Sequence, residues 1–113
     1  MNRENSSIYE GIGLMSGTSM DGIDLAYCRF AERIDPGLKL TCNDAHWSFE
    51  ILKAETIPMP ETWHGRLDSL GEQSAETFAR THVSFGHFLG EPLRDFIHSE
   101  NIKPQFVSSH GHT

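Results

Sequence analysis

The stretch that most constrains this chain is residues 11–24, which read GIGLMSGTSMDGID. Its apolar residues alternate at strand spacing on both sides of a seven-residue polar segment, SGTSMDG. Ile12 and Leu14 share one strand face before that segment, and Ile23 and Leu25 continue the alternation after it. This pattern predicts two strands joined as a hairpin with a polar tip.

The predicted hairpin has strands over about 8–16 and 22–31, and glycine and hydroxyl side chains dominate its tip. Glycine tolerates positive φ angles, so the backbone N–H groups of a short loop can converge on one point. Such a concave set of N–H groups, helped by serine and threonine hydroxyls, binds phosphate oxygens. An ordinary polar hairpin turn has the same composition, so both interpretations stay open. The segment matches neither the GxxxxGK[ST] nor the GxGxxG pattern.

The net charge of the chain indicates which classes of binding partner are unfavourable. Nine Lys and Arg against 16 Asp and Glu give a formal charge of −7, which argues against nucleic acid or an anionic membrane. Phosphate would therefore have to be bound by local N–H groups and a metal ion.

Cys28 and Cys42 are too few for a disulfide framework and lack metal-ligand spacing, which favours free thiols in a reducing compartment. Because residues 1–7 carry no signal-peptide-like apolar run and no transmembrane stretch follows, we expect a cytoplasmic protein.

A third strand region is predicted over 38–57. Trp47, Phe49 and Ile51 alternate with polar residues, which predicts one buried face. After Ile51 the apolar phase shifts to Leu52, which predicts a bulge or a strong twist at that point. Together with the hairpin, this region would complete a three-stranded antiparallel meander.

Two helices are predicted next, one ending near Leu70 and one running from an N-cap at Ser74 to about Ser99. The second helix carries apolar positions at spacings of 4, 3, 4, 4 and 3, and Pro92 inside it predicts a kink. A fourth strand starts at Gln105, and a right-handed crossover would place it parallel to the first strand. The chain is therefore predicted to be α/β. The predicted helix seam, with His82 as a core histidine, is Phe78, His82, Phe85, Leu89, Leu93 and Phe96.

Two carboxylates and a histidine pair could carry chemistry. Asp21 is either a metal or water ligand or a turn cap, and Asp24 is either a metal or water ligand or a solvated strand residue. His110 and His112 have the HxH spacing of some zinc sites, but no third ligand has matching spacing. Polar residues just past the carboxyl end of a strand line ligand crevices in α/β sheets, so the chain's last residues are candidates for binding a small molecule.

The segment GLMSGTSMDGID closely resembles the N-terminal signature of the anhydro-N-acetylmuramic acid kinases, which belong to the superfamily of sugar kinases and actin-like ATPases. The last residues, SSHGHT, resemble a second segment of that family, usually read SHGQT. The resemblance implies the start of a ribonuclease-H-like half-domain of an actin-like ATPase fold. It also implies that residues 1–113 are the N-terminal part of the first lobe of a two-lobe kinase, with the remainder of the enzyme outside this chain.

The resemblance further implies binding sites for ATP with Mg²⁺ and for a sugar. The implied ATP-binding residues are Gly17, Thr18, Ser19, Met20, Asp21, Gly22, Ile23 and Asp24. The implied sugar-binding residues are Ser109, His110, His112 and Thr113. Superfamily relatives often carry Asp where this chain has Met15, so Asp21 or residues beyond 113 would hold the metal, and the general base is expected beyond residue 113. His112 departs from the usual Gln of the family.

The implied reaction converts ATP, water and 1,6-anhydro-N-acetylmuramic acid into N-acetylmuramic acid 6-phosphate and ADP, in bacterial cell-wall sugar recycling. The partner is then a small sugar, with no nucleic acid or membrane, and a homodimer stays open. Two other functions also stay open. They are another sugar or acid kinase of the superfamily and a non-catalytic, actin-like nucleotide-binding module.

Overall fold

The computed structural model describes residues 6–17, 22–34 and 45–112 and shows a four-stranded sheet with helices packed on one face. The strand order is β3-β2-β1-β4, antiparallel across the first three strands and parallel between β1 and β4. The predicted α/β class and strand directions are confirmed, and the arrangement is consistent with the start of an actin-like ATPase half-domain. The elements in chain order are β1 (Ser6–Ser16), β2 (Gly22–Ile34), β3 (Ala45–Pro58), α1 (Glu61–Asp68), a 3₁₀ turn (Leu70–Glu72), α2 (Ala75–Ser99) and β4 (Phe106–His112).

The hairpin of β1 and β2 provides the centre of the core. Leu14 pairs with Leu25 and Ser16 with Ile23, so the alternating apolar side chains of both strands share the face that the helices cover. Burial of this face away from water is the main favourable term for such a small sheet. The buried core residues are Ile12, Leu14, Ile23, Leu25, Tyr27, Leu67, Phe85, Leu89 and Phe96.

Strand β3 confirms one prediction and contradicts another. Tyr27 pairs with Lys53 while Cys28 pairs with Ile51, so the register shifts at Leu52, where the bulge was predicted. The predicted burial of Trp47, Phe49 and Ile51 is wrong, since their side chains are 58%, 72% and 57% exposed.

The reason for this difference lies in the register of β3. Phe49 pairs with Phe30, and Ile51 pairs with Cys28, so both project from the sheet face opposite the helices. Within the described part of the chain, no helix covers that face. Alternation therefore identified side chains that share a face without identifying which face is covered.

Helix α2 begins where the sequence predicts and runs through Pro92 to Ser99. Ser74 Oγ accepts a hydrogen bond from the Thr77 N–H at 3.2 Å, which confirms the predicted N-cap. The predicted seam is wrong at its N-terminal end, because Phe78 is 50% exposed and His82 is exposed, whereas Thr81 faces the core. In the chain segments that the structure describes, neither helix has the length and apolar character needed to cross a lipid bilayer.

Strand β4 is fixed against the start of β1. The Gln105 N–H donates to the Glu10 carbonyl at 2.8 Å, and the Glu10 N–H donates back to Gln105 Oε1 at 2.6 Å. Gly11 then pairs with Phe106, whose ring fills the space that a Cβ at position 11 would need, at 2.3 Å. A larger residue at position 11 would have to displace this half-exposed ring. The parallel register of β1 and β4 brings their carboxyl ends together at the same end of the sheet.

Candidate functional site

An open cavity of about 450 Å³ lies at the carboxyl ends of β1 and β4, on the sheet face opposite the helices. The two strands are parallel, and β2 begins beside β1 at the end of residues 17–22, the segment called here the glycine loop. This is the position at which α/β sheets bind ligands. The cavity is lined by Gly13, Leu14, Met15, Asp24, Ala26, Ser108, Ser109 and His110.

Asp24 is the carboxylate of this cavity. It lies on β2 directly opposite Met15 of β1 and opposite Thr56 of β3. Thr56 Oγ1 donates a hydrogen bond to Asp24 Oδ1 at 2.6 Å, which leaves Oδ2 without a partner among the described residues. Asp24 is therefore oriented by its neighbour and has one carboxylate oxygen available for a ligand.

Glycine gives the cavity its room. A Cβ built at Gly13 would meet nothing within 4 Å, and one at Gly17 would meet only Met15 Cε at 4.0 Å. Gly22 has a different reason, because a Cβ there would lie 2.8 Å from the Ile57 carbonyl oxygen of β3. Of these three glycines, Gly13 and Gly17 leave space for a ligand, whereas Gly22 permits the close pairing of β2 and β3.

The structure separates the two histidines of the HxH segment. The register between β1 and β4 shifts after Leu14, and Gly111 adopts a φ of 76°, a conformation that favours glycine. Its N–H donates to Ser109 Oγ at 3.1 Å. As a result His110 lines the open cavity, while His112 lies over the helix-covered face with its ring 6.3 Å from the Phe85 ring.

His112 instead lines a second cavity, of about 260 Å³, between β4, α2 and the turn after α1. The two imidazoles therefore do not form the metal pair that HxH spacing allows. Across residues 6–17, 22–34 and 45–112, no group of three or more His, Cys, Asp or Glu side chains could hold a metal ion.

The predicted site residues are thus only partly brought together. Asp24 and His110 meet at the open cavity, and Ser109 lines both this cavity and the second one. Gly17 follows the end of β1 directly. The side chain of Ile23 is fully buried in the core, so only its backbone could contact a ligand there. Five predicted residues lie outside the described residues, namely Thr18, Ser19, Met20, Asp21 and Thr113.

Sequence reasoning did not select Thr56 or Ser108 as site residues. Ser108 pairs with Gly13, and its position within the SSHGHT segment was an available signal. Thr56 reaches the site only through the register of β3 with β2, 32 residues away from Asp24. Local patterns carry no information on such a pairing.

Comparison with known proteins identifies similar sequences over nearly the whole chain. The family model described as anhydro-N-acetylmuramic acid kinase matches residues 9–113. A protein of that name from Pseudoalteromonas translucida is 30% identical over 108 residues, which cover 90% of this chain and 24% of the relative. The protein of the same name from Rhodospirillum rubrum is 32% identical over 118 aligned residues, which cover 98% of this chain and 27% of the relative. The chain therefore spans about a quarter of the length of these relatives.

Proposed function

This chain belongs to the anhydro-N-acetylmuramic acid kinase family, and we propose that it forms the N-terminal part of the first lobe of a two-lobe kinase for 1,6-anhydro-N-acetylmuramic acid. In the proposed reaction, ATP, water and the anhydro sugar give N-acetylmuramic acid 6-phosphate and ADP. Water adds to the anomeric carbon and the anhydro C–O bond breaks. The released 6-oxygen takes the γ-phosphoryl group, and the water's proton passes to a base outside this chain. The setting is cell-wall sugar recycling in a bacterial cytoplasm.

One observation carries this proposal. The two sequence segments that resemble the family lie at opposite ends of the chain, yet both line the same open cavity. The first contributes Gly13, Met15 and Asp24, and the second contributes Ser108 and His110. A kinase needs its phosphate-binding and acceptor-binding groups within reach of each other, and the shared lining of this cavity supports such an arrangement.

The described residues fit a magnesium–nucleotide complex in two respects. Space beside Gly13 and Gly17 is open, and Asp24 offers the hard oxygen ligand that Mg²⁺ or its bound waters prefer. The described lining of the cavity includes no Lys or Arg, so the phosphate charge would be met by loop N–H groups and the cation. When bound, ATP supplies the phosphoryl group and Mg²⁺ offsets its charge.

Each residue then has a proposed role. Asp24, oriented by Thr56, contacts the cation or its waters. The N–H groups of the loop from Gly17 to Gly22 bind phosphate oxygens, while Asp21 is a second candidate for the cation. Ser108, Ser109 and His110 orient the sugar through hydrogen bonds to its hydroxyl groups.

The test is ADP release by the full-length protein under three conditions, which are no acceptor, 1,6-anhydro-N-acetylmuramic acid, and N-acetylmuramic acid. The proposal predicts release only with the anhydro sugar. Release that prefers an ordinary sugar would assign another kinase of the superfamily. Release that no sugar changes would instead assign an actin-like nucleotide-binding module.

A further inference from the structure

Ser16 and His112 lie side by side at the ends of the two parallel strands. They are register partners across β1 and β4, and both face the helix-covered side of the sheet. Ser16 is fully buried and is the last residue of β1, directly before Gly17. The last residue before the glycine loop is therefore paired with the end of β4.

Each of the two side chains has a buried polar atom without a hydrogen-bond partner among the described residues. These atoms are Ser16 Oγ and His112 Nδ1. Buried polar atoms in native proteins are nearly always hydrogen-bonded, because leaving one unsatisfied forfeits its hydration without replacement. Because these two unsatisfied atoms belong to residues that are paired across β1 and β4, they indicate a hydrogen bond that joins the two side chains.

The surroundings favour a bond between these two atoms. The second cavity, which His112 lines, has apolar walls that include Leu67, Phe85 and Leu89. Its other polar side chains are Thr81 and Ser109, whose hydroxyls already bond backbone groups, and exposed His82. Neighbouring strands lie about 4.8 Å apart, so a rotation of either side chain, or one water molecule, spans the gap. A serine hydroxyl can donate or accept, and a neutral imidazole nitrogen can do either according to its tautomer.

We propose that His112 is a positioning residue, hydrogen-bonded to Ser16 directly or through one water, that holds the start of the glycine loop against the end of β4. His112 then acts on nucleotide binding through Ser16 and does not contact the sugar. This inference rests on the proposed function, because it assumes that the glycine loop binds ATP. It replaces the sequence-based expectation of a sugar contact at position 112 with a role on the nucleotide side.

The first arm of the test needs no enzyme activity. Ring nitrogens of ¹⁵N-histidine-labelled full-length protein are observed by NMR in the wild type and in Ser16→Ala. The inference predicts that Ser16→Ala shifts the ring resonances of His112 and leaves those of exposed His87 in place. An unchanged His112 spectrum would overturn the hydrogen bond.

The second arm measures the dissociation constant of a non-hydrolysable ATP analogue. Loss of the bond should weaken binding by about tenfold in His112→Leu, equal to about 1.4 kcal/mol, and similarly in Ser16→Ala. The double variant should be no weaker than the worse single variant, since both remove one interaction. His112→Gln keeps a donor and an acceptor and should restore most of the affinity, while His87→Leu is the matched control.

The outcomes separate this inference from the proposed function. A raised KM for the sugar alone in His112→Leu would overturn the inference and make His112 a sugar contact. Effects of the two single variants that simply add would also overturn it. If the wild type binds no ATP analogue, the proposed function fails, and the NMR arm still decides whether the bond exists.

Discussion

Thr56 Oγ1 donates a 2.6 Å hydrogen bond to Asp24 Oδ1, joining strand β3 to the carboxylate that follows the glycine loop. The two residues are register partners on the sheet face that carries the open cavity. A carboxylate held in one orientation by a neighbouring hydroxyl loses less freedom when it binds a ligand. The third strand of the meander therefore contributes to the site without lining the cavity.

Replacing Thr56 by valine tests this role. Thr56→Val keeps the branched shape and removes the donor, so Asp24 should become free to rotate. We expect binding of an ATP analogue with Mg²⁺ to weaken by a few-fold to about tenfold, in keeping with a net hydrogen-bond contribution of about 0.5–1.5 kcal/mol. Isothermal titration measures this, with Thr56→Ser as the variant that retains the hydroxyl. Equal affinity in the valine and serine variants would show that Asp24 needs no partner.

Gly11 and Gly13 lie on the same strand, but substitution by alanine is expected to lower stability at Gly11 and ligand binding at Gly13. In Gly11→Ala the new Cβ would lie 2.3 Å from the far end of the half-exposed Phe106 ring, so the ring must move away and we expect destabilisation of about 1 kcal/mol. In Gly13→Ala the new Cβ meets nothing within 4 Å, so stability should change by less than about 0.5 kcal/mol. The added methyl group would instead enter the open cavity and weaken ligand binding.

Urea unfolding and ligand titration of both variants separate these effects. Phe106→Leu in the Gly11→Ala background should recover part of the lost stability, because it removes the ring that the Cβ meets. A Gly13→Ala variant that binds ATP analogue and sugar as the wild type does would remove this part of the cavity from the site.

The hydrogen bonds of the Glu10 carboxylate predict that the stability of the folded protein depends on pH. Its carboxylate accepts hydrogen bonds from Tyr27 Oη at 2.5 Å and from Arg29 Nε at 2.8 Å. The Tyr27 hydrogen bond, followed by that of Arg29, lowers the pKa of Glu10, and the same bond raises the pKa of Tyr27. Because the folded state keeps Glu10 ionised to lower pH than the unfolded state, its stabilising contribution is complete above the ordinary glutamate pKa. The contribution is lost as pH falls through the lowered, folded-state pKa.

Glu10→Gln retains an acceptor for Tyr27 and removes the charge. The wild type should therefore exceed this variant in melting temperature near neutral pH, and the difference should shrink as the solution is acidified below the ordinary glutamate pKa. Thermal melts of the two proteins at a series of pH values provide the measurement. A difference that stays constant down to the lowest pH would contradict the assigned ionisation.

The proposed contact between His110 and the sugar is tested by substitution, with exposed His87 as the control position. His110→Ala should raise the KM for the anhydro sugar by a few-fold to about tenfold while the KM for ATP stays nearly unchanged. His87→Ala should change neither value, since His87 lies on α2 away from the open cavity. A KM for ATP that rises instead would place His110 on the nucleotide side.

Much of this fold follows from local sequence pattern. The alternation around residues 11–24 predicts the β1–β2 hairpin, and the phase shift after Ile51 predicts the bulge at Leu52. These predictions succeed because strand pairing within a short hairpin is governed by which side chains must be buried together. Burial of Phe49 was predicted wrongly because alternation cannot tell which sheet face the helices will cover.

Less of the candidate site than of the fold could be predicted from local sequence pattern. The glycine between His110 and His112 signals a turn, but the register shift that sends the two rings to opposite faces depends on how β4 pairs with β1. The Thr56–Asp24 hydrogen bond likewise depends on long-range register. Contacts between distant segments are set by the whole sheet, so they emerge only with the structure.

The mass of the sugar product shows whether the enzyme both opens the anhydro ring and phosphorylates the sugar. Full-length protein is incubated with ATP, Mg²⁺ and 1,6-anhydro-N-acetylmuramic acid, and the sugar products are analysed by mass spectrometry. We predict a single product heavier than the substrate by one water and one phosphoryl group. A product that has gained a phosphoryl group without water, or an unchanged sugar in the presence of ADP release, would rule out the proposed reaction.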